Sequence, residues 1–209
     1  MKVLITGCSR SGTTMLINIM PYFYNSEVIL DDEVHPYKYL EFDEKGKVFI
    51  IKKPLNIYES QDWFDMTYLI HHGWKIIWLI RDGRDVVCSR NEKDEYHTEC
   101  QRWVQTNQEF MRVAENSNIL PLHYERFVKE PEKQMQKISQ FLNVEFQKDF
   151  NQFYHNVNPR LRMNVGIKPR KIDADSIGNF EKHPKRMQYI KKSKFYQLFT
   201  VLNTIFGYE

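Results

Sequence analysis

The segment Gly7-Cys8-Ser9-Arg10-Ser11-Gly12-Thr13-Thr14 constrains this chain more than any other. It follows the β-branched run Val3–Thr6 and leads into the helix-like Thr13–Tyr24. A glycine at each end lets the backbone curl between a strand and a helix, so that loop N–H groups and the positive end of the helix dipole converge on one point. Such a point receives an anion, above all a phosphate. Strand-loop-helix junctions of this kind lie at the carboxyl edge of a parallel sheet, where α/β folds hold their ligands. The spacing is that of a Walker A loop, Gly-x-x-x-x-Gly-Lys-Ser/Thr, but Thr13 stands where the lysine belongs. The positive charge has moved to Arg10, inside the loop. ATP chemistry uses the missing lysine together with a Mg²⁺ held by the next hydroxyl. The loop therefore suits a phosphate-bearing ligand whose transferred group carries less charge than a γ-phosphate.

The rest of the chain supplies the expected frame. Lys47–Lys52 and Lys75–Ile80 are continuous apolar runs, the pattern of strands buried on both faces. Between them Ser60–His72 reads as a helix stopped by Gly73. Asp94–Asn116 reads as a long helix and Ile119–Leu122 as a further strand. Pro131–Leu142 reads as a helix with an early proline and Met135, Ile138, Phe141 and Leu142 at core spacing. This alternation predicts an α/β fold: a P-loop-like parallel β-sheet with helices on both faces. Trp63, Trp74 and Trp78 are expected in the core. The stretch Asn156–Asn179, with Pro159, Gly166, Pro169 and Gly178, is expected to be a long functional loop. Phe195, Leu198, Phe199, Leu202, Ile205 and Phe206 form an apolar stripe, read as a helix closing on the core; a membrane-surface role is the alternative for this basic, aromatic tail. With 209 residues and no repeat or linker, the chain reads as one domain over residues 1–209.

Lys and Arg number 30 against 27 Asp and Glu, a net charge of +3. That balance excludes the lopsided basicity of a general nucleic-acid binder and leaves room for a local basic pocket. Cys8, Cys88 and Cys100 form no disulfide framework, and no long apolar run marks a signal peptide or membrane span. A cytoplasmic protein with reduced thiols and no metal is the expectation.

A second motif, Ile80-Arg81-Asp82-Gly83-Arg84-Asp85-Val86-Val87-Cys88-Ser89-Arg90, ends a buried strand in Arg81 and places Ser89 on the helix that follows. An arginine at a strand end and a hydroxyl across the turn can grip a phosphate from two sides. Arg-Ser-Gly-Thr-Thr, then a strand ending in Arg-Asp-Gly-Arg, then Ser89 resembles the sulfotransferase superfamily. Lys52-Lys53-Pro54, Cys100-Gln101-Arg102-Trp103, and Tyr124-Glu125-Arg126-Phe127-Val128 with Glu130-Pro131-Glu132 resemble further elements of that family, in its order, from Lys2 to Phe146. The nearest motifs are those of tyrosylprotein sulfotransferases and related bacterial enzymes.

The resemblance implies 3′-phosphoadenosine 5′-phosphosulfate (PAPS) as sulfuryl donor, no metal, and an acceptor hydroxyl or amine on a small molecule, sugar, lipid or peptide tyrosine. It implies that the loop Ser9, Arg10, Ser11, Gly12, Thr13 and Thr14 holds the 5′-phosphosulfate, that Arg81 and Ser89 hold the 3′-phosphate, and that Tyr124 helps bind the adenosine. Lys52 would contact the sulfuryl group, and with Arg10 would stabilise charge during transfer. A basic group in the late loop, Lys168, Arg170 and Lys171, precedes Ile177-Gly178-Asn179-Phe180, where many relatives carry a Gly-x-Trp-like element over the 3′-phosphate; phenylalanine replaces the tryptophan, and a solvated basic loop is the alternative. Lys171 is taken as the contact. For the base, alignment with a two-residue insertion points to Glu33; without the insertion Asp31 takes that position, and His35 titrates in the right range. A P-loop small-molecule or nucleoside kinase and a non-catalytic nucleotide-binding module are the rival functions.

Overall fold

The computed structural model describes residues 1–29, 33–42, 45–56, 63–90, 95–155 and 171–208. Among the described residues, five parallel strands form one sheet in the order β2-β3-β1-β4-β5, with β1 (Lys2–Gly7), β2 (Ser26–Val28), β3 (Val48–Lys52), β4 (Trp74–Ile80) and β5 (Ile119–His123). Side chains alternate across a strand, and here each alternate set meets its own apolar cluster. Val3, Ile5, Val48, Ile50, Ile77 and Leu79 face one cluster, with Leu16, Ile17 and Ile19 of α1 (Thr13–Ile19) and Met135, Ile138 and Leu142 of α6 (Pro131–Leu142). Leu4, Phe49, Ile51, Ile76 and Trp78 face the other, with Met66 and Leu69 of α2 (Met66–His71) and Phe110 and Val113 of α4 (Cys100–Val113). Both faces are covered, which is why these strands read as unbroken apolar runs.

A third cluster gathers Cys8, Val86 and Val87 of α3 (Gly83–Val87), Trp103 of α4, Ile190 of α7 (Pro184–Lys191) and Phe199 and Leu202 of α8 (Tyr196–Ile205). α5 (Tyr124–Lys129) follows β5 directly and ends at Glu130, where α6 begins. Because β1 leads into α1 on one face and β3 precedes α2 on the other, the strand order reverses between β1 and β3. That crevice, at the carboxyl ends of the strands, is where such a sheet takes its ligand.

Several boundaries differ from the sequence expectation. α1 ends at Ile19 in a 3-10 turn over Met20–Tyr22, because Pro21 cannot continue the α-helical ladder. α2 begins at Met66, where the Asp65 carboxylate accepts from the Thr67 and Tyr68 N–H groups at 2.8 and 3.4 Å and so caps the helix. α4 begins at Cys100 because an antiparallel bridge between Arg90 and Tyr96 occupies the chain before it. Ser89 lies beyond the end of α3 rather than on it. Trp74 and Trp78 are fully buried as expected, but Trp63 is 44% exposed and offers its carbonyl to His35. Most of the expected loop Asn156–Asn179 lies outside the described residues, and its last part is turn and 3-10 structure running to Lys182.

The C-terminus is tied back to the sheet. Tyr208 Oη donates to Glu125 Oε2 at 2.6 Å, lies 3.0 Å from His123 Nδ1, and Glu125 Oε1 accepts from the Asp82 N–H at 3.0 Å. Burial, with the charges of Arg126 and Lys137, lowers the His123 pKa to about 4. The unfolded imidazole titrates near 6.5, so the fold binds fewer protons at this site than the unfolded chain. Its contribution is fully present above about pH 6.5 and is lost as pH falls toward about 4. Burial raises the Glu125 carboxyl, which acts in the opposite sense over acidic pH. Comparing wild type with His123→Asn isolates the histidine: the melting-temperature advantage of wild type shrinks between these two pH values. A constant advantage across that window would show that His123 does not couple folding to protons.

Candidate active site

The loop between β1 and α1 is closed by a bond from the Ser11 N–H to the Cys8 carbonyl at 3.1 Å. Gly7 has φ +132°, and a Cβ there would stand 2.4 Å from the Leu79 carbonyl oxygen of the neighbouring strand. Gly12 has φ +96°, and a Cβ there would stand 2.5 Å from Cδ2 of Tyr124. Neither position admits a side chain, which is the physical content of the motif. The first intrahelical bond runs from the Leu16 N–H to the Gly12 carbonyl at 3.0 Å. The N–H groups of Thr13 and Thr14 therefore precede the ladder and remain available to an anion.

A cavity of about 710 Å³ opens over this loop. Ser9, Arg10, Gly12, Thr13, Thr14, Glu33, Lys52, Arg81, Ser89, Tyr124 and Lys171 all line it, so nearly every residue singled out from sequence converges there. Ser11 does not line it: its hydroxyl is buried and has no hydrogen-bond partner among the described residues. His35 is not among the lining residues either. Its Nδ1 accepts from the Tyr37 N–H at 3.3 Å and caps the 3-10 turn over Pro36–Tyr39, while its Nε2 lies 3.1 Å from the Trp63 carbonyl, so both nitrogens are engaged elsewhere. Asp31, Lys168 and Arg170 lie outside the described residues.

At one end of the cavity Lys52, at the end of β3, is buried with only 8% of its side chain exposed. Its Nζ lies 2.7 Å from Glu33 Oε1 and 3.4 Å from Thr14 Oγ1. Glu33 is about half exposed and has φ +33°, an uncommon backbone for a residue with a side chain. Lysine, carboxylate and loop hydroxyl thus form one chain at the crevice between β1 and β3.

At the other end the first and second motifs interlock. Arg10, in the left-handed region with φ +71°, sends Nε to Ser89 Oγ at 2.9 Å and a terminal nitrogen to the Arg90 carbonyl at 2.6 Å. Arg81 returns the contact, donating to the Arg10 carbonyl at 2.8 Å and to the Ser176 carbonyl at 2.7 Å. Its guanidinium lies 4.4 Å from the centre of the Tyr124 ring, whose hydroxyl meets Ser176 Oγ at 2.6 Å. Tyr124 is therefore held between Gly12 and Arg81 and closes one wall.

The late segment is fixed by a residue that the sequence reading did not single out. Asp85 is buried, and its two carboxylate oxygens accept from the Gly178 and Phe180 N–H groups, both at 2.9 Å. Burial raises its pKa, opposed by these N–H groups and by Arg81. Phe180 stacks on Arg84, 4.4 Å from the guanidinium, while Ser176 and Asn179 line the cavity. The aromatic of this element thus anchors the wall through Arg84 and leaves the lining to its neighbours. Asn18, Arg90, His97, Phe153, Asp173 and Asp175 also line the cavity unforeseen. Arg90 stood inside the quoted motif and could have been read there; the others arrive through long-range packing with no local signal. Among the described residues, no three His, Cys, Asp or Glu side chains converge as a metal would require.

A parallel sheet with a glycine loop at its reversal point, flanked by arginines and a buried lysine, defines an α/β enzyme of the phosphate-cradling transferase class. The sulfotransferase-domain family model matches residues 1–165, and the chain belongs to that family. No curated protein sequence matches it. The fold is that of a sulfotransferase domain from a Synechococcus PCC 7002 olefin synthase, with TM-score 0.67 and 16% identity, covering 100% of this chain and 95% of the other. A sulfotransferase domain from the curacin biosynthetic pathway superposes with TM-score 0.62 and 17% identity, covering 99% and 97%. A mouse sulfotransferase complexed with PAP gives TM-score 0.62 and 16% identity, covering 97% and 84%.

Proposed function

We propose that this sulfotransferase moves a sulfuryl group from PAPS to an acceptor hydroxyl or amine and releases PAP. The observation that carries this is the Lys52–Glu33 pair, set against Thr14 at the end of a phosphate cradle whose Gly12 leaves no room for a side chain. Bound PAPS supplies an activated sulfuryl group on a phosphosulfate. The chain's own groups fit it: Ser9, Gly12, Thr13 and Thr14 would hold the 5′-phosphosulfate, and Arg81, Ser89 and Lys171 the 3′-phosphate. Arg10 bonds to Ser89 and so links the two anion sites rather than serving the first alone. Ser11, behind the loop, would act by packing. Tyr124 would bound the adenosine.

Lys52 would stabilise charge as it grows on the sulfuryl and leaving oxygens. Glu33 presents one oxygen to Lys52 and keeps the other for the acceptor proton. Membership of the sulfotransferase family removes the kinase reading. The three cysteines are buried and unpaired, and burial raises their pKa values to about 12, 11 and 11 for Cys8, Cys88 and Cys100. They are protonated, inert thiols. No helix among the described residues is long and apolar enough to cross a membrane.

PAP is expected to raise the melting temperature with EDTA present, because Arg10 and the loop donors take the place of the Walker lysine. Thermal-shift titration with PAP and with ATP plus Mg²⁺ tests this. A larger shift with ATP plus Mg²⁺, or a PAP shift that EDTA abolishes, would contradict the assignment. Transfer of label from PAPS across phenols, peptides, sugars and lipids identifies the acceptor.

A further inference from the structure

The C-terminal helix does more than close the third cluster. α8 packs Phe199 on Trp103 with ring centres 4.9 Å apart, and Phe206, just past its end, lies 6.2 Å from the same indole. Apolar contact suffices for that closure. Yet two polar side chains from the same stretch act on one place, the turn that leaves β4 and carries Arg81. Asn203 is 4% exposed, and its Oδ1 accepts from the Gly83 N–H at 2.9 Å. Tyr208 donates to one oxygen of Glu125, whose other oxygen accepts from the Asp82 N–H. The Tyr208 N–H donates to the Asn203 carbonyl at 2.9 Å, which ties the two positions together. Trp103 donates Nε1 to the Arg81 carbonyl at 3.2 Å.

The two peptide units that follow Arg81 are therefore held in succession. Trp103 and Glu125 hold the first from both sides, and Asn203 holds the N–H of the second. An amide buried beside an apolar cluster is costly unless it is bonded, so packing alone would place a leucine at 203. Gly83 permits the close approach, since a Cβ there would stand 2.6 Å from the Phe199 ring and 2.8 Å from Trp103. What the turn presents to the cavity is the guanidinium of Arg81, already aimed by the Arg10 and Ser176 carbonyls. A binding group keeps its full effect only within about 0.5 Å of its productive place. The sulfotransferase-domain match ends at residue 165, so Asn203 and Tyr208 lie beyond it. We propose that Asn203 and Tyr208 are positioning residues of the donor site, which hold the turn after β4 so that Arg81 meets the 3′-phosphate. This role rests on the assignment of Arg81 to that phosphate.

PAP and adenosine 5′-phosphate differ only in the 3′-phosphate, so the ratio of their dissociation constants reads that contact. Calorimetric titration of the full chain with each nucleotide gives the ratio. Arg81→Ala should lower it about tenfold or more, the worth of a charge-assisted contact. Tyr208→Phe and Asn203→Leu should each lower it about threefold to tenfold, the worth of one hydrogen bond. Affinity for adenosine 5′-phosphate should stay near wild type in both. Tyr208→Phe keeps the ring and removes only the hydroxyl, so it decides the matter even where Asn203→Leu fails to fold. Ile138→Val, in the core around α6 and away from the turn, should lower the melting temperature and leave the ratio unchanged. A ratio that stays at wild type in Tyr208→Phe, while Arg81→Ala lowers it, would make the tail a structural brace only and overturn the proposal. A ratio unchanged in Arg81→Ala would place the 3′-phosphate elsewhere and overturn that assignment together with the role built on it.

Discussion

Glu33→Gln is expected to lower turnover by roughly 10²–10⁴-fold, the usual contribution of a positioned base, while PAP affinity stays near wild type. Glutamine keeps an oxygen for Lys52, so the contact now at 2.7 Å can persist without the carboxylate charge. The loss should then be confined to proton removal. Lys52→Met removes the other half of the pair and should also cut turnover, through lost stabilisation of charge that grows in the transition state. A series of phenols of decreasing pKa separates the two. An acceptor already partly ionised needs no base and rescues Glu33→Gln, whereas Lys52→Met stays slow throughout. Full activity of Glu33→Gln on a weakly acidic phenol would remove Glu33 from this role and direct attention to Asp31.

The pairing of Glu33 with Lys52 marks how far the sequence could be read. The sheet was legible because Val48–Lys52 and Trp74–Ile80 are buried on both faces and therefore unbroken in their apolarity. The phosphate loop was legible because Gly7 and Gly12 are forced by backbone angle and close contact, constraints that leave the same residue at the same spacing. Glu33 was reachable only through a resemblance that needed an insertion; nothing local distinguishes it from His35, which turned out to cap a 3-10 turn. β2 is three residues long and carries no period. Asp85 reads as one more charge in an alternating run, because the N–H groups that it serves, on Gly178 and Phe180, lie far along the chain. A carboxylate whose partners are backbone groups of a distant segment leaves no pattern in its own neighbourhood.

Gly12→Ala should destabilise the protein by about 2–6 kcal/mol, the sum of two separable costs. The first is backbone strain of about 1–3 kcal/mol for a side-chain-bearing residue at φ +96°. The second is overpacking of about 1–3 kcal/mol, because the new Cβ would stand 2.5 Å from the Tyr124 ring. That ring cannot retreat freely: its hydroxyl is bonded to Ser176 and the Arg81 guanidinium lies against its plane. Tyr124→Ala removes the second cost and leaves the first. In a double-mutant cycle measured by denaturant unfolding, Gly12→Ala should therefore cost about 1–3 kcal/mol less in the Tyr124→Ala background than in wild type. PAP affinity should fall in the single Gly12→Ala variant as well, since the N–H groups of Thr13 and Thr14 move with the residue before them. Equal costs in the two backgrounds would mean that the loop does not rest on Tyr124. The wall that joins the phosphate cradle to Arg81 and Ser176 would then have to be built by some other contact.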